Sequence, residues 1–332
     1  MQYRQLGRTG LMVSEVGLGG WAFGGPFRLH GIASGWADQR DADSLATIEA
    51  ARAAGINFID TADVYGLGHS EEVIGQAIRG QRQDWIVATK FGHAPWDKNA
   101  YRSAYAAGNV TASCEGSLKR LGIDCIDLYQ WHGPADPGFE AESLEAVLAL
   151  RKAGKVRFIG LSFYMLRELE SALKVVPPID AIQVEFNLRW TYTREQGIFK
   201  MAQDRGWGVV VKSPLHGSML TGKHSADTQF GKNDLRGDRR GVARHFADRK
   251  RFLENLDFVE RLRFLERPGR TLAQAALRYV LDEPVVSTII PGARRVEHLQ
   301  QNAAAADLAP LTGEEHQKIV QVQSQFQCDA GW

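Results

Sequence analysis

Asn57-Phe58-Ile59-Asp60-Thr61-Ala62-Asp63-Val64-Tyr65-Gly66 reads as a short apolar strand that runs directly into a polar turn. Consecutive apolar positions without polar alternation suit a strand buried on both faces, the habit of a parallel sheet covered by helices. Upstream, Ala42–Ala54 carries helical spacing, with Asp41 as its expected cap and Gly55 as its stop. The same strand-and-helix unit recurs in both directions. Candidate strands are Val16–Leu18, Asn57–Ile59, Trp85–Thr89, Asp127–Trp131, Val156–Leu161, Ala181–Glu185, Gly208–Val211 and Val285–Ile290. Helical patterns fall between them, among them Thr111–Leu121 ending at Gly122, and Leu272–Leu281 capped by Thr271. Eight such units in a chain of 332 residues, with no break in composition, predict an α/β fold of the (β/α)8 TIM-barrel type. One domain spanning 1–332 is expected.

Two segments depart from this rhythm. Residues 3–15 read as an N-terminal β-hairpin placed to plug the bottom of the barrel. The stretch from Leu215 to Arg251 is basic, bears glycines and has weak periodicity. A long insertion after the seventh strand lands on the catalytic face, where it can cover a ligand.

Composition narrows the class. Charged residues make up 24% and hydrophobic ones 44%, with a formal net charge of +1, so no long-range field draws the chain to nucleic acid or an anionic membrane. No apolar run is long enough to span a bilayer. Met1–Gly7 lacks the apolar core of a signal peptide, and Cys114, Cys125 and Cys328 are too scattered for a disulfide framework or a metal site. A cytoplasmic location with reduced, idle thiols and no metal is expected. Two motifs fail on inspection. Gly17-Leu18-Gly19-Gly20-Trp21-Ala22 imitates a dinucleotide fingerprint, but Phe23-Gly24-Gly25-Pro26 follows where a helix must start. Gly160-Leu161-Ser162-Phe163-Tyr164 imitates a nucleophile elbow without its closing glycine.

The informative residues stand at strand ends. Asp60 and Tyr65 follow the second strand, Lys90 closes the third in Ala88-Thr89-Lys90-Phe91-Gly92, and His132 closes the fourth in Tyr129-Gln130-Trp131-His132-Gly133. In a parallel barrel these ends open on one face, where active sites are built.

With these residues in place, the sequence resembles the aldo-keto reductase superfamily over nearly its whole length. The likeness runs from the hairpin through Asn57–Ala62 and Gly68-His69-Ser70-Glu71-Glu72-Val73-Ile74-Gly75 to Ile290-Pro291-Gly292-Ala293-Arg294. The resemblance implies an Asp-Tyr-Lys-His tetrad, matched by Asp60, Tyr65, Lys90 and His132 in order and strand context. It makes Tyr65 the proton donor to the alkoxide left by hydride addition, with Lys90 lowering the phenol pKa from about 10. Asp60 holds the lysine, and His132 orients the carbonyl oxygen.

The resemblance also implies a nicotinamide cofactor, NADP(H). Ser162 and Gln183 take the positions that hold the carboxamide, and Lys212, Ser213, Leu215 and Gly217 follow the seventh strand. Gly292, Ala293, Arg294, His298, Gln301 and Asn302 take the adenosine half, with Arg294 placed to fork onto a 2′-phosphate. Two departures stand out. Phe163 replaces an asparagine of many relatives, and Lys212 replaces the aromatic residue that stacks on the nicotinamide. Lys212 either contacts the pyrophosphate or leaves the ring to another group, with Trp21 as one candidate.

Trp21, Phe91 and Trp131 are expected to wall the substrate pocket, with Phe23, Phe27, Trp36 and Trp96 as further candidates. Such walls suit an apolar carbonyl compound or a stacked sugar. Three functions fit the sequence: NADPH-dependent reduction of an aldehyde or ketone, NAD(P)-dependent oxidation of a sugar, and a cofactor-binding regulatory subunit. The complete tetrad and the absence of a docking extension weigh against the last. Nothing in the sequence fixes an oligomeric state.

Overall fold

The computed structural model describes residues 1–93, 104–135, 138–174, 179–240 and 243–326. Trp96 and Cys328 lie outside the described residues. In chain order the strands are β1 (Tyr3–Gln5), β2 (Met12–Ser14), β3 (Leu18–Gly19), β4 (Arg28–Leu29), β5 (Ile32–Ala33), β6 (Phe58–Asp60) and β7 (Ile86–Phe91). They continue as β8 (Ile126–Trp131), β9 (Val156–Ser162), β10 (Ala181–Glu185), β11 (Gly208–Lys212) and β12 (Thr288–Ile289). Eight of them form one parallel sheet in the order β12-β11-β10-β9-β8-β7-β6-β3. Parallel bridges Val16–Ile289 and Gly19–Gly292 join its two ends into a ring.

Helices cover the outside. They begin with α1 (Asp41–Ala53), α2 (His69–Ile78), α3 (Ala107–Leu121), α4 (Glu140–Lys152), α5 (Leu166–Leu173), α6 (Tyr192–Glu195) and α7 (Ile198–Arg205). The series ends with α8 (Arg244–Ala247), α9 (Arg249–Arg261), α10 (Leu272–Leu281), α11 (Val296–Ala303) and α12 (Gly313–Gln323). Among the described residues no helix is long and apolar enough to cross a membrane.

This is the (β/α)8 barrel that the repeating pattern predicts. Strand alternation sorts its side chains into two cores. Phe58, Ala88, Leu128, Ala181, Val210 and Ile290 point inward and pack on Leu6 and Val13. Leu6 and Val13 belong to the N-terminal hairpin, whose strands pair antiparallel with Tyr3 opposite Ser14, so the hairpin does plug the barrel. Gly7 makes the contact feasible: its φ is +53°, and a Cβ there would lie 2.1 Å from the Gly208 nitrogen.

Element bounds shift where local chemistry intervenes. The last strand is shorter than Val285–Ile290, because Pro284 enters a turn in which the Val286 N–H donates to the Glu283 carbonyl. Thr271 caps α10 as expected, its hydroxyl accepting from the Gln274 N–H at 3.2 Å. Asp41 is not a cap; it lies inside α1, 2.8 Å from His69 Nε2.

The 215–251 insertion is more ordered than its weak periodicity suggests. Met219, Leu235, Ala243, Phe246 and Phe252 form a small core of their own, against which Trp21 and Trp36 pack. That core fixes the insertion across the C-terminal mouth of the barrel.

Candidate active site

Inward-facing residues one step beyond the apolar barrel core carry the polar groups. Asp60 on β6, Lys90 on β7, Gln130 on β8, Ser162 on β9 and Gln183 on β10 are all buried. Lys90 Nζ donates to Asp60 Oδ2 at 2.6 Å and to the Thr61 carbonyl at 2.7 Å. It also lies 3.4 Å from Tyr65 Oη. The Gln183 and Gln130 amides donate to Asp60 Oδ1 at 2.8 and 3.2 Å. Asp60 is thereby held on both oxygens. A buried ion pair survives in this form because each carboxylate oxygen finds at least one donor.

Tyr65 sits on the turn after β6, and the next residue needs to be glycine. Gly66 has φ +61°, and a Cβ there would meet the Gly24 carbonyl oxygen at 2.3 Å. The phenol ring stacks on Trp21 at 5.8 Å and faces His132 edge-on at 5.6 Å. The four tetrad residues therefore converge.

Their electrostatics differ from the expectation in one respect. Burial raises the Tyr65 pKa well above its ordinary value, and the Asp60 and Asp63 carboxylates raise it further. Lys90 does not reverse this, because its ammonium is committed to Asp60 and Thr61 at shorter range. The phenol thus keeps its proton through the neutral and mildly alkaline range. Ultraviolet titration should show this directly: the tyrosinate signal of the native chain and of Tyr65→Phe should coincide up to about pH 10. A native-only component titrating near neutrality would contradict it. Burial, with His93, Lys90 and Lys212 nearby, also drives the His132 pKa well below 6.5, so its imidazole is neutral. His132 Nδ1 is buried with no hydrogen-bond partner among the described residues.

A cleft of about 340 Å³ leads away from the tetrad across the mouth of the barrel. At the near end it is lined by Trp21, Tyr65, His132, Tyr164, Gln183 and Lys212, with Trp36 farther along beside Arg236 and Arg294. Ser213, Leu215 and Gly217 follow along one wall, and Gly292, Arg294, His298, Gln301 and Asn302 along the other. Ser162 lies just beneath the surface, accepting from Lys212 Nζ at 3.1 Å and donating to Gln183 Oε1 at 3.4 Å.

Three expected residues are elsewhere. Phe91 and Trp131 are fully buried in the outer core, with Phe91 stacked on Tyr129 at 4.7 Å and Trp131 Nε1 donating to Ser143 Oγ at 2.7 Å. Since Lys90 and Gln130 point into the barrel, their neighbours must point out toward the helices. Ala293 is likewise turned into the core between two cleft residues. Among the further wall candidates, Phe23 is buried and Trp36 lines the cleft.

Sequence reading missed several cleft residues. Tyr164 lies at the mouth, its ring centroid 3.5 Å from Lys212 Nζ. Arg236, from the insertion, is locked by Asp234 through paired 2.8 Å contacts and donates to Ser218 Oγ at 3.1 Å. Lys223 and His224 line the same wall. The basic composition of 215–251 was the signal for Arg236 and His224.

The far end of the cleft suits the phosphates of a dinucleotide. Arg236 and Arg294 flank the Trp36 ring at 4.7 and 5.6 Å, and burial, followed by the Arg236 charge, lowers the Arg294 pKa. A neighbouring anion would relieve that crowding. A Cβ at Gly292 would meet nothing within 4 Å, so a phosphate can approach the backbone there. Helix α11 begins just beyond, its first N–H groups without a side-chain cap. Ser213, His216 and Ser218 all hold positive φ in the facing loop, strain typical of a ligand clamp. Among the described residues no group of three His, Cys, Asp or Glu is placed to hold a metal ion.

The model of the Aldo/keto reductase family matches residues 15–324. The chain is 33% identical over 304 residues to aldo-keto reductase YhdN of Bacillus subtilis strain 168, spanning 90% of this chain and 87% of that one. Among solved structures it resembles the glycerol dehydrogenase AKR11B4 from Gluconobacter oxydans, with TM-score 0.79, 29% identity and coverage of 99% and 98%. It also resembles an aldo-keto reductase from Klebsiella pneumoniae in complex with NADPH, with TM-score 0.71, 26% identity and coverage of 97% and 96%.

Proposed function

The chain belongs to the aldo/keto reductase family and is an NAD(P)-dependent oxidoreductase, and from that premise we propose that it reduces an aldehyde or ketone to an alcohol with NADPH. The observation that carries this reading is the row Tyr65–Lys90–Asp60 opening beside His132 into one cleft. On this reading the whole chain, 1–332, acts as a single barrel domain.

A nicotinamide cofactor bound in the cleft supplies the hydride. Ser162 and Gln183 would hold its carboxamide, and Arg236, Arg294 and the start of α11 its phosphates. The chain's own residues handle the substrate oxygen. Neutral His132 donates an N–H to the carbonyl oxygen and orients it. Tyr65 gives its phenol proton to that oxygen as negative charge develops there. A raised phenol pKa keeps this donor loaded until the oxygen becomes alkoxide-like and the stronger base. Lys90 stabilises the tyrosinate left behind, and Asp60 keeps the ammonium in place. Solvent at the open mouth then returns the proton to Tyr65.

Arg294 favours NADPH over NADH on this account, because its guanidinium meets the 2′-phosphate. Arg294→Ala should weaken NADPH binding by about 1–3 kcal/mol and leave NADH binding unchanged, as read by equilibrium fluorescence titration. Equal loss for both cofactors would show that Arg294 does not recognise the 2′-phosphate.

A second reading runs the chemistry in the opposite direction, as oxidation of a sugar or polyol. It is favoured by the likeness to the glycerol dehydrogenase and by the walls of Trp21, Trp36 and Tyr164, which suit the C–H face of a polyol. Steady-state assays decide between the two. NADPH consumption across a panel of aldehydes and ketones should exceed NADP+ reduction with glycerol and free aldoses; the reverse ranking would favour the second reading.

A further inference from the structure

We propose that Lys212 biases the cofactor site toward the reduced, uncharged nicotinamide and against the oxidised, cationic one. The inference rests on the reading of the cleft as the cofactor site. Its starting point is an unbroken row of contacts from Lys212 to the tetrad. Lys212 Nζ donates to Ser162 Oγ at 3.1 Å, Ser162 Oγ donates to Gln183 Oε1 at 3.4 Å, and the Gln183 amide donates to Asp60 at 2.8 Å. Asp60 in turn holds Lys90, which reaches Tyr65.

Hydride can reach only a carbon whose oxygen faces Tyr65 and His132, so the reacting ring must lie at this end of the cleft. Lys212 lines that end together with Tyr65, His132 and Gln183. Its ammonium is fixed by Ser162 below and by the Tyr164 ring at 3.5 Å. These two contacts hold the ammonium more firmly than a solvated surface lysine.

The oxidised nicotinamide ring carries one positive charge and the reduced ring none. A positive charge held beside the ring disfavours the oxidised form and leaves the uncharged reduced form unaffected. Glu185 is the natural counter-charge, opposite Lys212 in the β10–β11 register. Yet no ion pair closes between them among the described residues. Glu185 accepts from Asn187 Nδ2 at 3.3 Å instead, and its second oxygen is buried without a partner.

The other titratable groups around Lys212 and Glu185 are Lys90, Asp60, Glu168 and Tyr164, with His216 3.7 Å from Glu185 and His93 and His132 beside the tetrad. Burial lowers the Lys212 pKa while the Glu185 charge raises it, and burial raises the Glu185 pKa, so mildly acid conditions favour the ammonium over the free amine.

Equilibrium binding of NADPH and of NADP+ at pH 6, by fluorescence or calorimetry, tests the proposal on the native chain, Lys212→Met and Lys212→Arg. The preference for NADPH over NADP+ should fall on the order of ten- to hundredfold in Lys212→Met, mainly through tighter NADP+ binding. Lys212→Arg, which keeps the charge, should retain most of the preference. An unchanged ratio in Lys212→Met overturns the inference while leaving the cofactor site intact. If the native chain binds neither form, the reading of the cleft fails, and the inference fails with it.

Discussion

Tyr65→Phe is expected to lower the rate of carbonyl reduction by about 10²–10⁴-fold, the usual worth of a positioned general acid, while the affinity for NADPH stays within about twofold of native. The two halves of the expectation have different structural sources. Loss of rate follows from the missing hydroxyl, which lies 3.4 Å from Lys90 and beside His132. Retained affinity follows because the remaining ring keeps its stacking on Trp21, and because the groups assigned to the cofactor lie on other strands. Single-turnover kinetics with NADPH already bound separate the two. Loss of NADPH affinity in step with rate would mean that Tyr65 serves binding and that another group donates the proton.

Lys90→Met should be the more damaging change to the fold. Lys90 is fully buried and makes the 2.6 Å contact that neutralises Asp60, itself almost fully buried. Removing the ammonium leaves a carboxylate inside the barrel with only the amides of Gln130 and Gln183. Breaking one side of a buried pair costs about 3–5 kcal/mol, a large share of a typical domain's stability. Chemical denaturation should show the loss as a lower midpoint with an unchanged slope. The double variant Asp60→Asn with Lys90→Met should recover part of the stability but no activity, because the unpaired charge is gone while the tyrosine still lacks its ammonium. A Lys90→Met chain as stable as native would show that the pair is solvated rather than buried.

Much of this site is readable from strand alternation. Asp60, Lys90 and His132 fall at the C-terminal ends of apolar runs, and a parallel barrel brings such ends to one mouth. The same alternation forbids Phe91 and Trp131 from joining them, since each follows an inward-facing residue on its strand. Treating them as pocket walls put aromatic character ahead of register. Arg236 was not legible at single-residue level, because its position depends on a small hydrophobic cluster within the insertion that joins residues far apart in sequence. The sign of the Tyr65 shift was also out of reach. Proximity to a lysine is visible in a motif, whereas the burial that outweighs it is a property of the assembled barrel.

The Lys212 position shows the same division. Its departure from the aromatic residue of relatives is plain in Lys212-Ser213-Pro214-Leu215. Where the side chain goes is settled by Ser162 and Tyr164, on another strand and the loop after it. The lysine belongs to the tetrad end of the cleft, away from the arginines assigned to the phosphates.

Transfer of an isotopic label tests the central claim most directly. The native chain, mixed with an aldehyde and NADPH carrying deuterium on both hydrogens at C4 of the nicotinamide, should yield an alcohol with one deuterium on the former carbonyl carbon and a solvent-derived hydroxyl proton. NADPH left unconsumed across the carbonyl panel, or an alcohol free of the label, would contradict the account.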